Sequence, residues 1–407
     1  MNGCLEVYSN GLRFENPFIL ASAPPTASAQ LIKNAFKKGW AGAVTKTIRD
    51  EDVLNSNVSP RLSAIKDRRS VIGLENIEMI SDKPIGYWLE AIADIKKEFP
   101  GKILIGSIMG AQGTESWKKI ARRVMEAGAD ALELNFSCPN GVTAQGLGLA
   151  IGQNTKAIEV ITKAVKEVCR IPVIVKLTPN VTSIAGAARG AVKGGADGIC
   201  AINTVSVLSG IDIETMTPLP DVDGYSTYGG LSGRCIKPIG LRCVAEIANE
   251  TVVPIYGAGG ISCWEDAVEY MAVGARIVQI CTEVMLSGSL IIDGLKRGLA
   301  GYLERKGFAS VGEICGVALN KLITHQALNR GYIVHPQIDY SRCGKCENCI
   351  EICSESGNGA LYVGEEGVIA DNKKCIGCSL CSFICPNGAI SMIPTKLGIT
   401  ANMQANF

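Results

Sequence analysis

The chain has 407 residues, a formal net charge of +1, 5% aromatic residues and 46 glycines. That length suits one large domain plus a small one, and the near-neutral charge gives no basic face for nucleic acid or an anionic membrane. No run reaches the roughly 18 apolar residues of a membrane helix, and "MNGCLEVYSNG" has no basic-then-apolar leader, so a soluble, cytoplasmic protein is expected.

The chain opens on "CLEVYSNGLRFEN", two alternating segments around Asn10-Gly11, which predicts a hairpin. Eight short apolar runs follow, at 17–23, 41–47, 102–110, 129–137, 172–178, 196–204, 253–260 and 275–282. They are near-continuously hydrophobic, as strands covered on both faces should be. Amphipathic helical stretches such as 29–39 and 155–169 separate them. Eight such units predict an α/β fold of the (β/α)8 TIM-barrel type. An open Rossmann sheet would carry its glycine-rich turn after the first strand, and that place reads "ASAPPTAS". Two stretches, 48–83 and 205–232, are too long for plain connections and read as long irregular functional segments. Past Met285 the pattern is helical to about Asn329, and a cysteine-rich tail follows. The expected domains are a barrel over 1–295, a helical linker over 296–332 and a ferredoxin-like two-cluster domain over 333–407.

Eight of the 17 cysteines lie in that tail, as Cys343-x2-Cys346-x2-Cys349-x3-Cys353 and Cys375-x2-Cys378-x2-Cys381-x3-Cys385. This repeat matches the bacterial ferredoxin run, in which the fourth cysteine ligates the other cluster. Cys343, Cys346, Cys349 and Cys385 are therefore assigned to one [4Fe-4S] cluster, and Cys375, Cys378, Cys381 and Cys353 to a second. Zinc ribbons use two separated CxxC pairs per metal, and four cysteines in eleven residues fit them poorly.

Clusters move single electrons, so the barrel beside them calls for a flavin, which converts one-electron into two-electron chemistry. A barrel places phosphate in the loops after its seventh and eighth strands, where Gly259, Gly260 and Thr282 stand. Lys46 and Lys176 also end apolar runs, and a lysine there is costly without an anionic partner. Reduced flavin would be one. Asn135, Ser137, Asn203 and Thr204, at the ends of the fourth and sixth runs, suit a planar ring with alternating amide groups. Cys138 follows the fourth run, and His325 and His335, the two histidines of the chain, come far later. A thiol with an unperturbed pKa near ~8.5 is mostly protonated at neutral pH and can act as the acid when a C=C bond is reduced.

The words "VTKT", "NVSPR", "ENIEMIS", "ELNFSCPNG", "VKLTPNVT", "INTVS", "STYGGLSG" and "GAGGI", followed by the paired cluster motifs, resemble the flavin-containing subunits of the dihydropyrimidine dehydrogenase group. The resemblance runs from Asn16 through Pro386. "SCPN" is shared with cysteine-type dihydroorotate dehydrogenases, whereas "NIEMIS" and the cluster domain are not typical of them. The resemblance implies FMN in a TIM barrel, contacted by Ser22, Lys46, Thr47, Asn135, Lys176, Gly233, Ala258, Gly259, Gly260, Cys281 and Thr282. It implies a pyrimidine at Asn76, Asn135, Ser137, Asn203 and Thr204, with Cys138 as general acid. It also implies a hetero-oligomer in which NAD(P)H reduces FAD on a partner subunit. In one place the chain departs from the group. The usual Pro-His-Gly and Gly-Glu-Arg-Gly of the mobile lid are replaced, with Asn140, Ala144 and Gln145 instead. The alternatives are a dihydroorotate dehydrogenase, a reductase of a related cyclic amide or activated alkene, and an electron-transfer subunit without substrate chemistry.

Overall fold

Eight parallel strands close on themselves: β1 (Phe18–Leu20), β2 (Gly42–Val44), β3 (Ile103–Met109), β4 (Ala131–Asn135), β5 (Val173–Leu177), β6 (Gly198–Ala201), β7 (Ile255–Ala258) and β8 (Ala275–Ile280). Each pairs with the next, and β8 returns to β1 with Val278 opposite Phe18, which closes the barrel. The computed structural model describes residues 5–51, 57–111, 113–136, 149–365 and 367–395. Every strand falls within one of the eight apolar runs, and β3, β4 and β5 are buried along their whole length. The intervening helices bury one stripe and cap their own ends. In Ala29–Lys37, Ile32, Ala35 and Phe36 face inward, and the Ser28 hydroxyl accepts the Leu31 N–H. In Thr155–Val168 the Asn154 side chain does the same for Lys156 and Ala157.

The expected hairpin is present as Val7–Ser9 and Leu12–Phe14. Asn10 (φ 54°) and Gly11 (φ 76°) make its turn in the left-handed region. It lies across the N-terminal ends of the barrel strands. Asn10 Nδ2 donates to the Asp197 carbonyl, Tyr256 Oη donates to Asn10 Oδ1 at 2.9 Å, and Phe14 packs edge-on against the Tyr256 ring. The barrel floor is thereby stoppered.

The two long inter-strand stretches are not irregular. They pair with each other as a four-stranded antiparallel sheet in the order Val205–Val207, Gly229–Ser232, Ser70–Asn76, Leu62–Asp67. The reason is a carboxylate. Glu75 is fully buried and accepts the backbone N–H groups of Ser209 at 2.9 Å and Gly229 at 3.0 Å, tying one insertion to the other.

Contacts divide the chain into two units, Met1–Lys321 and Leu322–Phe407. The stretch 296–332, expected as a linker, is split by this division. The helix Ile291–Lys306 buries Leu299 and Leu303 with Ile292 and Leu295, an i, i+3/i+4 stripe, and so belongs with the barrel. In the second unit Ile333–Ile338 pairs antiparallel with Ile390–Thr395, and Leu361–Val363 with Val368–Ala370. Helices Asn348–Ser356 and Leu380–Ile384 complete it. Among the described residues no helix is long and apolar enough to cross a membrane.

Candidate active site

A cleft of about 1230 Å3, counted to its open mouth, lies at the C-terminal ends of the barrel strands, where this fold carries its chemistry. It is lined by Ser22, Lys46, Thr47, Asn76, Asn135, Lys176, Asn203, Thr204, Gly233, Ala258, Gly259, Gly260, Cys281 and Thr282. Leu62, Ile72 and Leu74 of the antiparallel sheet line it too. Ser137 and Cys138, with Asn140, Ala144 and Gln145, lie outside the described residues.

Side-chain hydrogen bonds link the strand ends across one wall. Ser22 Oγ and Thr47 Oγ1 are 3.2 Å apart, and Thr47 Oγ1 is 3.0 Å from Ser107 Oγ. Asn135 Nδ2 donates to Thr47 Oγ1 at 2.9 Å, and Asn203 Nδ2 to Asn135 Oδ1 at 3.4 Å. Two asparagines from β4 and the end of β6 are thus held by the protein before any ligand arrives.

Both lysines already carry carboxylate partners, which alters the argument that a flavin anion was needed to balance them. Lys46 Nζ lies 2.9 Å from Glu78 Oε2, and Arg61 lies 3.1 Å from the other oxygen of the same carboxylate. Lys176 Nζ lies 3.5 Å from Oε1 of Glu133, whose other oxygen accepts from Gln279 Nε2 at 2.8 Å. Burial opposes the Lys176 ammonium and is the largest single influence on it, but the anionic groups around it, Glu133 first among them, together outweigh burial, so this lysine sits above its ordinary pKa. Glu78, Glu133 and Gln279 were missed by sequence reasoning. The cost of a carboxylate inside the apolar run "ALELN" was the available signal for Glu133.

Opposite, backbone approaches backbone. Gly233 (φ 97°) and Gly260 (φ 76°) both occupy the left-handed region. A Cβ on Gly260 would come within 2.7 Å of Lys237 N and 2.9 Å of the Gly233 carbonyl, and one on Gly233 within 2.8 Å of Gly73 Cα. The helices Lys237–Glu250 and Thr282–Ser287 begin beside this cradle, and Thr282 Oγ1 donates to Ser232 Oγ at 2.8 Å. Backbone without side chains lets a phosphate approach closely here. On the cleft floor the buried Oε1 of Gln279 has no hydrogen-bond partner among the described residues, an acceptor open to a ligand N–H. Gly260→Ala is expected to yield protein depleted of flavin and less stable by about 1–3 kcal/mol, from the strained φ. Flavin content and melting temperature check this, and an unchanged pair of values would count against the cradle.

In the second unit the eight tail cysteines surround two separate cavities. One is lined by Cys343, Cys346, Cys349 and Cys385, and the other by Cys353, Cys375, Cys378 and Cys381. Each cavity takes three thiols from one motif and one from the other. Among the described residues no three ligating side chains converge on a single-ion site. Four thiols spaced around a cavity fit a multi-iron cluster and not a lone zinc.

Residues 4–303 match the family model described as dihydroorotate dehydrogenase, and residues 336–392 match that of the 4Fe-4S dicluster domain. The chain belongs to the dihydroorotate dehydrogenase family. Like its relatives in this family it is an oxidoreductase, and its cofactors are FMN in the barrel and iron–sulfur clusters in the tail. It is 38% identical over 392 residues to the NAD-dependent dihydropyrimidine dehydrogenase subunit PreA of Escherichia coli (strain K12), covering 95% of this chain and 94% of that one. It is 36% identical over 336 residues to the chloroplastic dihydropyrimidine dehydrogenase (NADP(+)) of Arabidopsis thaliana, covering 80% and 79%. It is 39% identical over 319 residues to the catalytic subunit of dihydroorotate dehydrogenase B (NAD(+)) of Pyrococcus horikoshii, covering 77% of this chain and 98% of that one.

Proposed function

We propose that this family member is the catalytic subunit of a dihydropyrimidine dehydrogenase, saturating the C5=C6 bond of a pyrimidine such as uracil or thymine. The observation that carries this reading is coverage. Identity to the three relatives is nearly equal, but the match to the bacterial dihydropyrimidine dehydrogenase subunit runs on through the cluster unit, whereas the Pyrococcus horikoshii chain ends at about barrel length. Bound FMN would supply hydride transfer, and the two clusters single electrons. The protein's own part is orientation and the proton. Asn76, Asn135, Asn203 and Thr204 offer donors and acceptors to the amide edges of a flat ring. Cys138 Sγ gives its proton to the ring carbon beside the one reduced. The electrons enter from an FAD-bearing partner subunit that oxidises NAD(P)H, in keeping with the word "subunit" in the relatives' names.

The test is to photoreduce the protein without oxygen and offer uracil, thymine and orotate in turn. Reoxidation by uracil or thymine with release of the dihydro product is expected. Reoxidation by orotate alone would reassign the chain to dihydroorotate chemistry, and reoxidation by none would leave an electron-transfer subunit.

A further inference from the structure

Glu133 is a buried charge to which the proposed reaction gives no task. It is wholly enclosed in β4, between Leu132 and Leu134, and a lone carboxylate at that depth costs several kcal/mol. Its two oxygens are directed at two residues of the cleft floor, Lys176 on β5 at 3.5 Å and Gln279 on β8 at 2.8 Å. Glu133 therefore stands one side chain behind the surface that a cofactor meets, and acts on it through both neighbours. Among the described residues the other titratable groups facing this pair are Cys200 on β6, Tyr256 on β7 and Cys281 just after β8. Burial pushes Cys200 and Tyr256 well up and Cys281 up to about 11, so near neutral pH these three carry no charge.

We propose that Glu133 is a positioning residue that holds Lys176 as a permanent ammonium against the bound cofactor, so that reducing the flavin draws no proton onto this lysine. The proposal rests on FMN occupying this cleft. Without the carboxylate, burial alone acts on Lys176 and drives it toward the neutral amine. Adding two electrons to the bound flavin would then pull one further proton from solvent onto Nζ.

The experiment follows the midpoint potential of the flavin in the holoprotein, at its absorption bands, from about pH 7.5 to about pH 9.5. The native protein is expected to run parallel to free FMN. Glu133→Gln is expected to fall more steeply by up to one extra proton, tenfold per pH unit, or about 30 mV for a two-electron couple. The double variant Glu133→Gln/Lys176→Met should run parallel again. A Glu133→Gln protein that binds flavin and keeps the native slope overturns the proposal, whereas native protein without bound flavin defeats the FMN reading itself. If Glu133→Gln alone does not fold, melting temperatures decide. Lys176→Met leaves a buried carboxylate unpaired, so the double variant should melt higher than this single one. An equal or lower value overturns the pairing.

Discussion

Replacing Cys138 with alanine is expected to lower pyrimidine turnover by about 10²–10⁴-fold, the usual worth of a positioned acid, while FMN and both clusters stay bound. Elimination supports the assignment. The barrel unit, Met1–Lys321, contains no histidine. Lys46 and Lys176 are committed to ion pairs with Glu78 and Glu133. Cys281 lines the cleft, but burial holds its thiol up at about 11, a weak acid near neutral pH. The thiol after β4 is the proton source proposed above. Flavin absorbance, cluster absorbance and steady-state rate, taken on one preparation, separate the outcomes. Undiminished turnover would remove Cys138 from the chemistry, and loss of flavin would give it a binding role instead.

The second large effect concerns the tail and runs against sequence proximity. Cys385 closes the second motif, yet it lines the cavity of Cys343, Cys346 and Cys349. Cys353 closes the first motif and lines the cavity of Cys375, Cys378 and Cys381. Cys385→Ala and Cys343→Ala should therefore damage the same cluster, and Cys353→Ala and Cys378→Ala the other, as read by the paramagnetic signals of the reduced protein and by iron content. Matching of Cys385→Ala with Cys378→Ala instead would refute the crossed ligation. Stability should follow the metal. The buried apolar cluster of this unit is Cys349, Leu361, Val368, Cys381 and Ile390, and two of those five are cluster thiols. A core this small needs its metal to fold, so chelating the iron is expected to unfold the unit.

What could be read in advance followed the range of the interactions involved. The eight barrel strands were legible because burial on both faces leaves uninterrupted apolar runs, and the hairpin because Asn10-Gly11 encodes its own turn. The crossed cysteine sets were expected because the repeated C-x2-C-x2-C-x3-C spacing matches the ferredoxin run, whose fourth cysteine serves the other cluster. The sheet over the mouth was not. Val205–Val207 and Ser70–Asn76 are short, far apart in sequence and joined through Gly229–Ser232, and no local pattern announces such a pairing. Glu75, Glu78 and Glu133 escaped for a related reason. Each is defined by a partner on another element, so one residue letter in an apolar run gives the cost of burial but not the group that offsets it.

The stoppered floor has a kinetic meaning. With Asn10 and Phe14 set against Tyr256 beneath the strands, the barrel is closed from below and its cleft faces the C-terminal side. A ring converted there, as proposed, leaves on the side from which it entered, and the next one waits until it has gone. Turnover is then an alternation of guests in a single berth, and a slow departure delays every arrival behind it.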